Sequence, residues 1–248
     1  MSGWIAGVDG CPAGWIVARR SLDGARQIEI AVAPRFEIVL DRADPPLSVA
    51  VDMPIGLPAR IGSQGRGPER LIRAQLGARR SSVFAIPSRA AVEAVDYASA
   101  CTIAAATSEP PRRVSKQAFM LFGRMREIDS LLRAADAPAA PAWRERVFEA
   151  HPELAFWRLN KERPLLHPKK RKGRPDPNGL RERREILQSA GVPASVIQSV
   201  PPRGAGTDDL LDALALMVIA QRLLDGRAEP FPDPPGQDEF GLPIAIWA

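Results

Sequence analysis

The sequence predicts an α/β protein built around one core, and three observations predict it. Short apolar runs rich in β-branched residues follow one another at the start of the chain, give way to helical spacing, and return once near residue 146. Two of these runs end on an aspartate beside a chain-breaking Gly or Pro. A long helix of alternating Ala and Leu comes last, just before a Pro-rich tail.

Taken in order, residues 4–9 (WIAGVD) form a strand stopped by Gly10, Cys11 and Pro12, and residues 14–19 (GWIVAR) return as a second. Residues 27–33 (QIEIAVA) alternate well enough for a third strand, 36–42 make a short helical connection, and 47–52 (LSVAVD) give a fourth strand, ended by Pro54. Helical periodicity covers 68–76, 90–106 and 116–135, the last with Phe119, Phe122, Ile128, Leu131 and Leu132 on one stripe, so a helical insertion is expected over about 60–140. A break at 136–141 leads to a fifth strand at 146–149 and a helix entered through His151-Pro152-Glu153. Residues 161–179 are basic and rich in Pro and Gly, which reads as an exposed loop. The final helix, 207–224, takes Thr207 as its N-cap, Asp208 and Asp209 in its first turn and Gly226 as its stop. Phe231, Phe240 and Trp247 are the anchors available to the tail, and no internal repeat is visible.

Composition removes several function classes. The chain has 248 residues, 45% hydrophobic and 25% charged, enough for a sizeable core. Two histidines, His151 and His167, exclude a His-rich metal site, and two distant cysteines, Cys11 and Cys101, follow no zinc or redox spacing. No apolar run approaches the roughly 20 residues that span a bilayer, and no secretory leader opens the sequence, so a cytoplasmic protein with no membrane partner is expected. Of the net charge of +5, residues 60–89 hold +6 and residues 161–184 hold +7, leaving −8 for the remainder. Two concentrated basic stretches suit a polyanion, and equally suit a solvated surface.

The acids carry the chemistry. Asp9 and Asp52 end the first and fourth strands, which in such a sheet lie side by side, so both carboxylates can face one crevice. Asp209 and Asp212 stand three apart on the last helix, with Cβ atoms about 5–6 Å apart, beside the apolar stripe Ala213, Leu216 and Ala220. Carboxylates on a core-facing side need a partner, and a divalent cation or an oriented water network is the cheapest when no Lys or Arg shares the turn. Asp208 is accounted for by the helix dipole. Glu149, ending the fifth strand, is either a ligand or base, or a cap for the next helix; His151 is close enough to orient a carboxylate or a water. In LGARRSSVFAIP, Arg79 and Arg80 suit bidentate phosphate binding, with Ser81 and Ser82 as hydroxyl donors; a plain surface loop explains the same residues.

Six blocks in one order, GVDGCPAGW, VDMPIGLP, RRSSVFAIPSR, SKQAF, FEAHPELAF and TDDLLDALAL, resemble a family of predicted RNase H-like nucleases long catalogued as a domain of unknown function. The resemblance runs from about residue 4 to residue 225. It implies an RNase H-like mixed sheet, three antiparallel strands then two parallel, flanked by helices, with acids on strands one and four and on the last helix that bind Mg²⁺ or Mn²⁺ for phosphodiester hydrolysis. Asp9 and Asp52 match the strand acids, Asp209 and Asp212 the helix pair, and Glu149 is a further match. The helix after VDMPIGLP departs from the pattern, with Pro68 and Glu69 where an Arg and an Asp usually stand.

The expectation is therefore a metal-dependent nuclease whose catalytic acids are Asp9, Asp52, Glu149, Asp209 and Asp212, with Arg79, Arg80, Ser81, Ser82, Lys169, Lys170 and Lys172 contacting nucleic acid. One rival is an actin-like ATP-dependent phosphotransferase, for which a 248-residue chain without a repeat leaves little room. The other is a non-catalytic nucleic-acid or nucleotide binding protein of the same fold.

Overall fold

The computed structural model describes residues 3–23, 27–134, 140–171 and 173–248. Five strands, β1 (Trp4–Cys11), β2 (Gly14–Ser21), β3 (Ile28–Ala33), β4 (Pro46–Val51) and β5 (Val147–Glu149), form one sheet in the order β3-β2-β1-β4-β5. The first three are antiparallel, and β4 and β5 run parallel to β1, the RNase H-like arrangement. A short helix, α1 (Glu37–Leu40), joins β3 to β4.

The insertion between β4 and β5 is helical, as expected, but more broken. It holds α2 (Pro68–Gln75), a 3₁₀ turn at Gly77–Ser82, α3 (Arg89–Val92), α4 (Tyr97–Ala106), α5 (Lys116–Phe119), α6 (Phe122–Arg133) and α7 (Ala140–Arg144). The helix expected over 90–106 splits because Asp96 caps a new one, its Oδ1 accepting from the Ser99 N–H at 2.8 Å. The one expected over 116–135 splits at Met120 and Leu121.

After β5 come α8 (Pro152–Leu159), a small hairpin of β6 (Lys170–Arg171) and β7 (Arg174–Pro175), α9 (Pro177–Ser189), α10 (Ala194–Ile197) and α11 (Thr207–Leu224). The N-cap of α11 is Gly206 and not Thr207; its N–H donates to Asp209 Oδ2 at 2.9 Å, so Asp209 helps to close its own helix start. The Pro-rich tail is a second hairpin, β8 (Pro230–Gln237) and β9 (Pro243–Trp247), that bridges to Ala150 just after β5.

Side-chain alternation divides the core between the two faces of the sheet. Ala6 and Val8 of β1 and Val49 and Val51 of β4 face the insertion helices, whereas Ile5 of β1 and Ala50 of β4 face α8, α9 and α11. Helix α11 lies directly across β1. A Cβ on Gly7 would fall 2.0 Å from the Met217 nitrogen and 2.2 Å from the Ala213 oxygen, so only a glycine there lets helix backbone rest on strand backbone. The chain leading into α11 is also tied to the first hairpin, with the Ala13 N–H donating to the Gly204 carbonyl at 3.2 Å.

Candidate functional site

The same alternation places the acids. Counting on by twos from Ile5 and Ala50, Asp9 and Asp52 fall on the α11 face, at the carboxyl ends of neighbouring parallel strands, and the Asp52 N–H donates to the Val8 carbonyl at 3.0 Å. They line a cavity of about 340 Å³ together with Arg124, His151, Lys169 and Asp209. Asp9 is buried and Asp52 half-buried. Burial raises both carboxyl pKa values; the Asp52 and Asp212 carboxylates push Asp9 further up, while His151 and Lys169 offset part of the rise at Asp52. Asp9 Oδ1 accepts from the Gly10 N–H at 2.8 Å.

Asp212, fully buried one turn into α11, is brought to the same place because Gly7 seats the helix. Its carboxylate is ion-paired with the Lys169 ammonium. Burial alone would lower the lysine pKa, but the charges of Asp212, Asp9 and Asp52 outweigh it and the net shift is upward. Lys169 lines the cavity with Asp9 and Asp52, and among the described residues no three His, Cys, Asp or Glu side chains already form a ligand set. Asp209 is half-buried on the cavity wall, its pKa raised by burial, with the Gly206 hydrogen bond opposing. Asp208 is also buried and pairs with Lys170 at 2.6 Å.

Glu149 lines the cavity but faces the other way. It is in register with Val51 and shares that residue's side of the sheet. Both oxygens bind the buried Arg66 guanidinium, and Oε2 also accepts from the Ile55 N–H at 2.8 Å; Glu69 joins the same arginine at 2.6 Å. Burial pushes the Glu149 carboxyl up to about 7, with Arg66 opposing the rise. The sequence reading missed Arg66, whose partners lie on three separate segments.

The basic residues divide. Lys169 is no solvated surface lysine, because its backbone is clamped to α9. Glu182 accepts from the Leu166 and His167 N–H groups at 2.8 and 2.9 Å, the Arg183 guanidinium donates to the His167 carbonyl at 3.2 Å, and the Asp176 N–H donates to the Lys169 carbonyl at 2.9 Å. Gly179 of α9 sits so close that a Cβ would meet the Pro168 oxygen at 1.9 Å. Lys172 lies outside the described residues. In the 3₁₀ turn, Ser82 reaches the cavity and donates to the Arg79 carbonyl at 2.8 Å, whereas Arg79, Arg80 and Ser81 line neither this cavity nor its neighbour. His151 is on the cavity wall beside Asp52 with its Nδ1 buried and unpartnered. No helix among the described residues is long and apolar enough to cross a membrane.

A family model described as a protein of unknown function (DUF429) matches residues 7–237. No curated protein and no solved structure matches.

Proposed function

Since the chain belongs to the DUF429 family, whose description assigns no activity, its function is read from its own site, and we propose a divalent-metal-dependent nuclease that hydrolyses phosphodiester bonds. One observation supports this reading: Asp9 and Asp52 line one cavity with Lys169, whose ammonium pairs with the buried Asp212. Three carboxylates and one lysine leave a local charge of about −2 when all are ionised, and a single Mg²⁺ or Mn²⁺ restores balance. The residues fit such an ion, since hard oxygen donors predominate and His151 Nδ1 adds a buried donor without a partner.

Asp9, Asp52 and Asp212 would hold the metal, with Asp209 at its margin. When bound, the ion supplies Lewis acidity and an activated water. Lys169, fixed by α9, provides a second positive charge that a two-metal site would take from a second ion, and it faces the space where a phosphate would enter. His151 would orient a water, and Arg124 adds positive charge to the cavity lining. Glu149 holds Arg66 and the Ile55 turn, which supports the strand ends without touching substrate.

The test is cleavage of RNA, DNA, hybrid and branched substrates at saturating Mn²⁺ or Mg²⁺, with the Asp52→Asn protein as control. Metal-dependent cutting that Asp52→Asn reduces to background is expected. A second reading, a binding protein that does not cut, is favoured by the Lys169 contact, which already satisfies Asp212. Binding without cleavage of any substrate in either metal would select it.

A further inference from the structure

A second cavity of about 240 Å³ adjoins the first, and Glu69 and Ile86 line both. Five arginines stand around it, with Glu69 the one acid. That acid is taken by Arg66, whose guanidinium is spent on Glu69, Glu149 and the Ile55 carbonyl. Four guanidinium groups remain. Arg73 gives Nε and Nη2 to the Val83 carbonyl, which orients it and leaves Nη1 over. Arg112 gives Nη2 to the Ser63 carbonyl at 2.6 Å. Among the described residues, the guanidinium groups of Arg70 and Arg113 donate no hydrogen bond and join no ion pair. Four like charges around one hollow repel one another unless an anion joins them. The floor is different in kind, formed by Ile61, Ile86, Pro87 and Val114.

We propose that this cavity is a subsite for the nucleotide flanking the one that reacts: its phosphate lies on Arg70, Arg73 and Arg113 and its base on the apolar floor. This rests on the nuclease reading only for the path of the strand, which would run from Asp9 past Glu69 and Ile86. The site favours a single strand, because a base can turn into a hollow only when it is unpaired.

The experiment is fluorescence anisotropy with a labelled single-stranded 12-mer in chelator, so that no cutting occurs. Arg70→Glu with Arg113→Glu is compared with the native protein and with Arg35→Glu plus Arg42→Glu, an equal charge change at exposed positions near α1. We expect the first pair to weaken binding at least tenfold and to flatten its salt dependence by about one unit of log K per log salt or more, and the control to change it less than threefold. Binding within twofold of native for the Arg70/Arg113 variant, or an equal loss in the control, overturns the subsite. A nucleoside monophosphate that binds as tightly as the 12-mer and loses affinity in the same variant overturns the strand in favour of a free nucleotide. Arg-dependent binding of the 12-mer by a protein that cuts nothing in Mn²⁺ upholds the subsite while the nuclease reading fails.

Discussion

Asp9 is the residue on which the site turns, and its environment sets two opposite expectations for one substitution. Without metal, ionised Asp9 is buried against Asp52 and Asp212, so Asp9→Asn removes a repulsion and retains an acceptor for the Gly10 N–H. The metal-free variant should be as stable as native or more so in chemical denaturation. It should also lose most of the stabilisation by Mn²⁺, which at a hundredfold excess over Kd is about 2.7 kcal/mol for the native site. A less stable Asp9→Asn protein that keeps the full metal shift would reduce Asp9 to a turn cap. Lys169→Met should act the other way, destabilising the metal-free protein by about 2–3 kcal/mol, because Asp212 stays buried without its partner while the lysine itself was a third exposed. Mn²⁺ should recover part of that loss. Asp9 and Asp52 were legible in the sequence because an acid ending an apolar strand is a local signal. The position of Lys169 was not, since it depends on hydrogen bonds from α9, a helix that begins in what reads as a basic loop. Glu149 resembles Asp52 in sequence, but strand parity sends it to the opposite face and to Arg66.

Among the elements, α11 makes the site and Gly7 makes α11 fit. Gly7→Ala places a methyl against helix backbone that has no side-chain freedom to yield, so a loss of about 3 kcal/mol or more is expected, at the upper end of overpacking costs. The shift should move Asp212 away from Asp9, and metal-dependent stabilisation should fall with it; thermal melts with and without Mn²⁺ measure both. Gly179→Ala tests the other support. It should displace the Pro168–Lys169 backbone from α9 and weaken the metal shift while leaving the five-stranded sheet intact by circular dichroism. The five sheet strands were legible to within a few residues, the first four because each is a β-branched run beside Gly or Pro breakers and the fifth because an apolar pair follows a break in the helical spacing. The β8–β9 hairpin was not, since PFPDPPGQ carries too much proline to read as a strand and pairs only along one edge. The helix breaks at Asp96 and at Met120 were missed because apolar spacing continues across them.

For the whole molecule, pH should report the same crowding of acids. Asp9, Asp52 and Asp209 have raised carboxyl pKa values and Glu149 is raised to about 7, so the folded state holds these protons more tightly than the unfolded chain. Their cost grows as pH rises, through about 7 for Glu149, and is relieved as pH falls toward the ordinary carboxylate range. Asp44, Asp96, Asp176 and Asp225 have lowered values, so their contribution is lost only as pH falls below about 4. The metal-free protein should therefore be more stable at pH 5.5 than at pH 8, and the Asp9→Asn protein should show a flatter profile; a native profile that rises from pH 5.5 to 8 would contradict the placement. The uneven charge along the chain was legible, but its destination was not. Lys169 and Lys170 turn inward to the acids of α11, and the open arginines belong to the insertion, around a cavity whose lining runs from Ile61 to Val114.

The contact between Gly7 and α11 also orders events in time. Asp9 and Asp212 are separated by 203 positions, and the helix that rests on β1 at Gly7 is the one that carries Asp212. At about 5–20 residues per second, a ribosome exposes the first acid roughly 10–40 s before it has made the last. Throughout that interval the nascent chain carries its strand carboxylates without the partner that gathers them, so the cluster of acids is assembled only late in the synthesis of each copy.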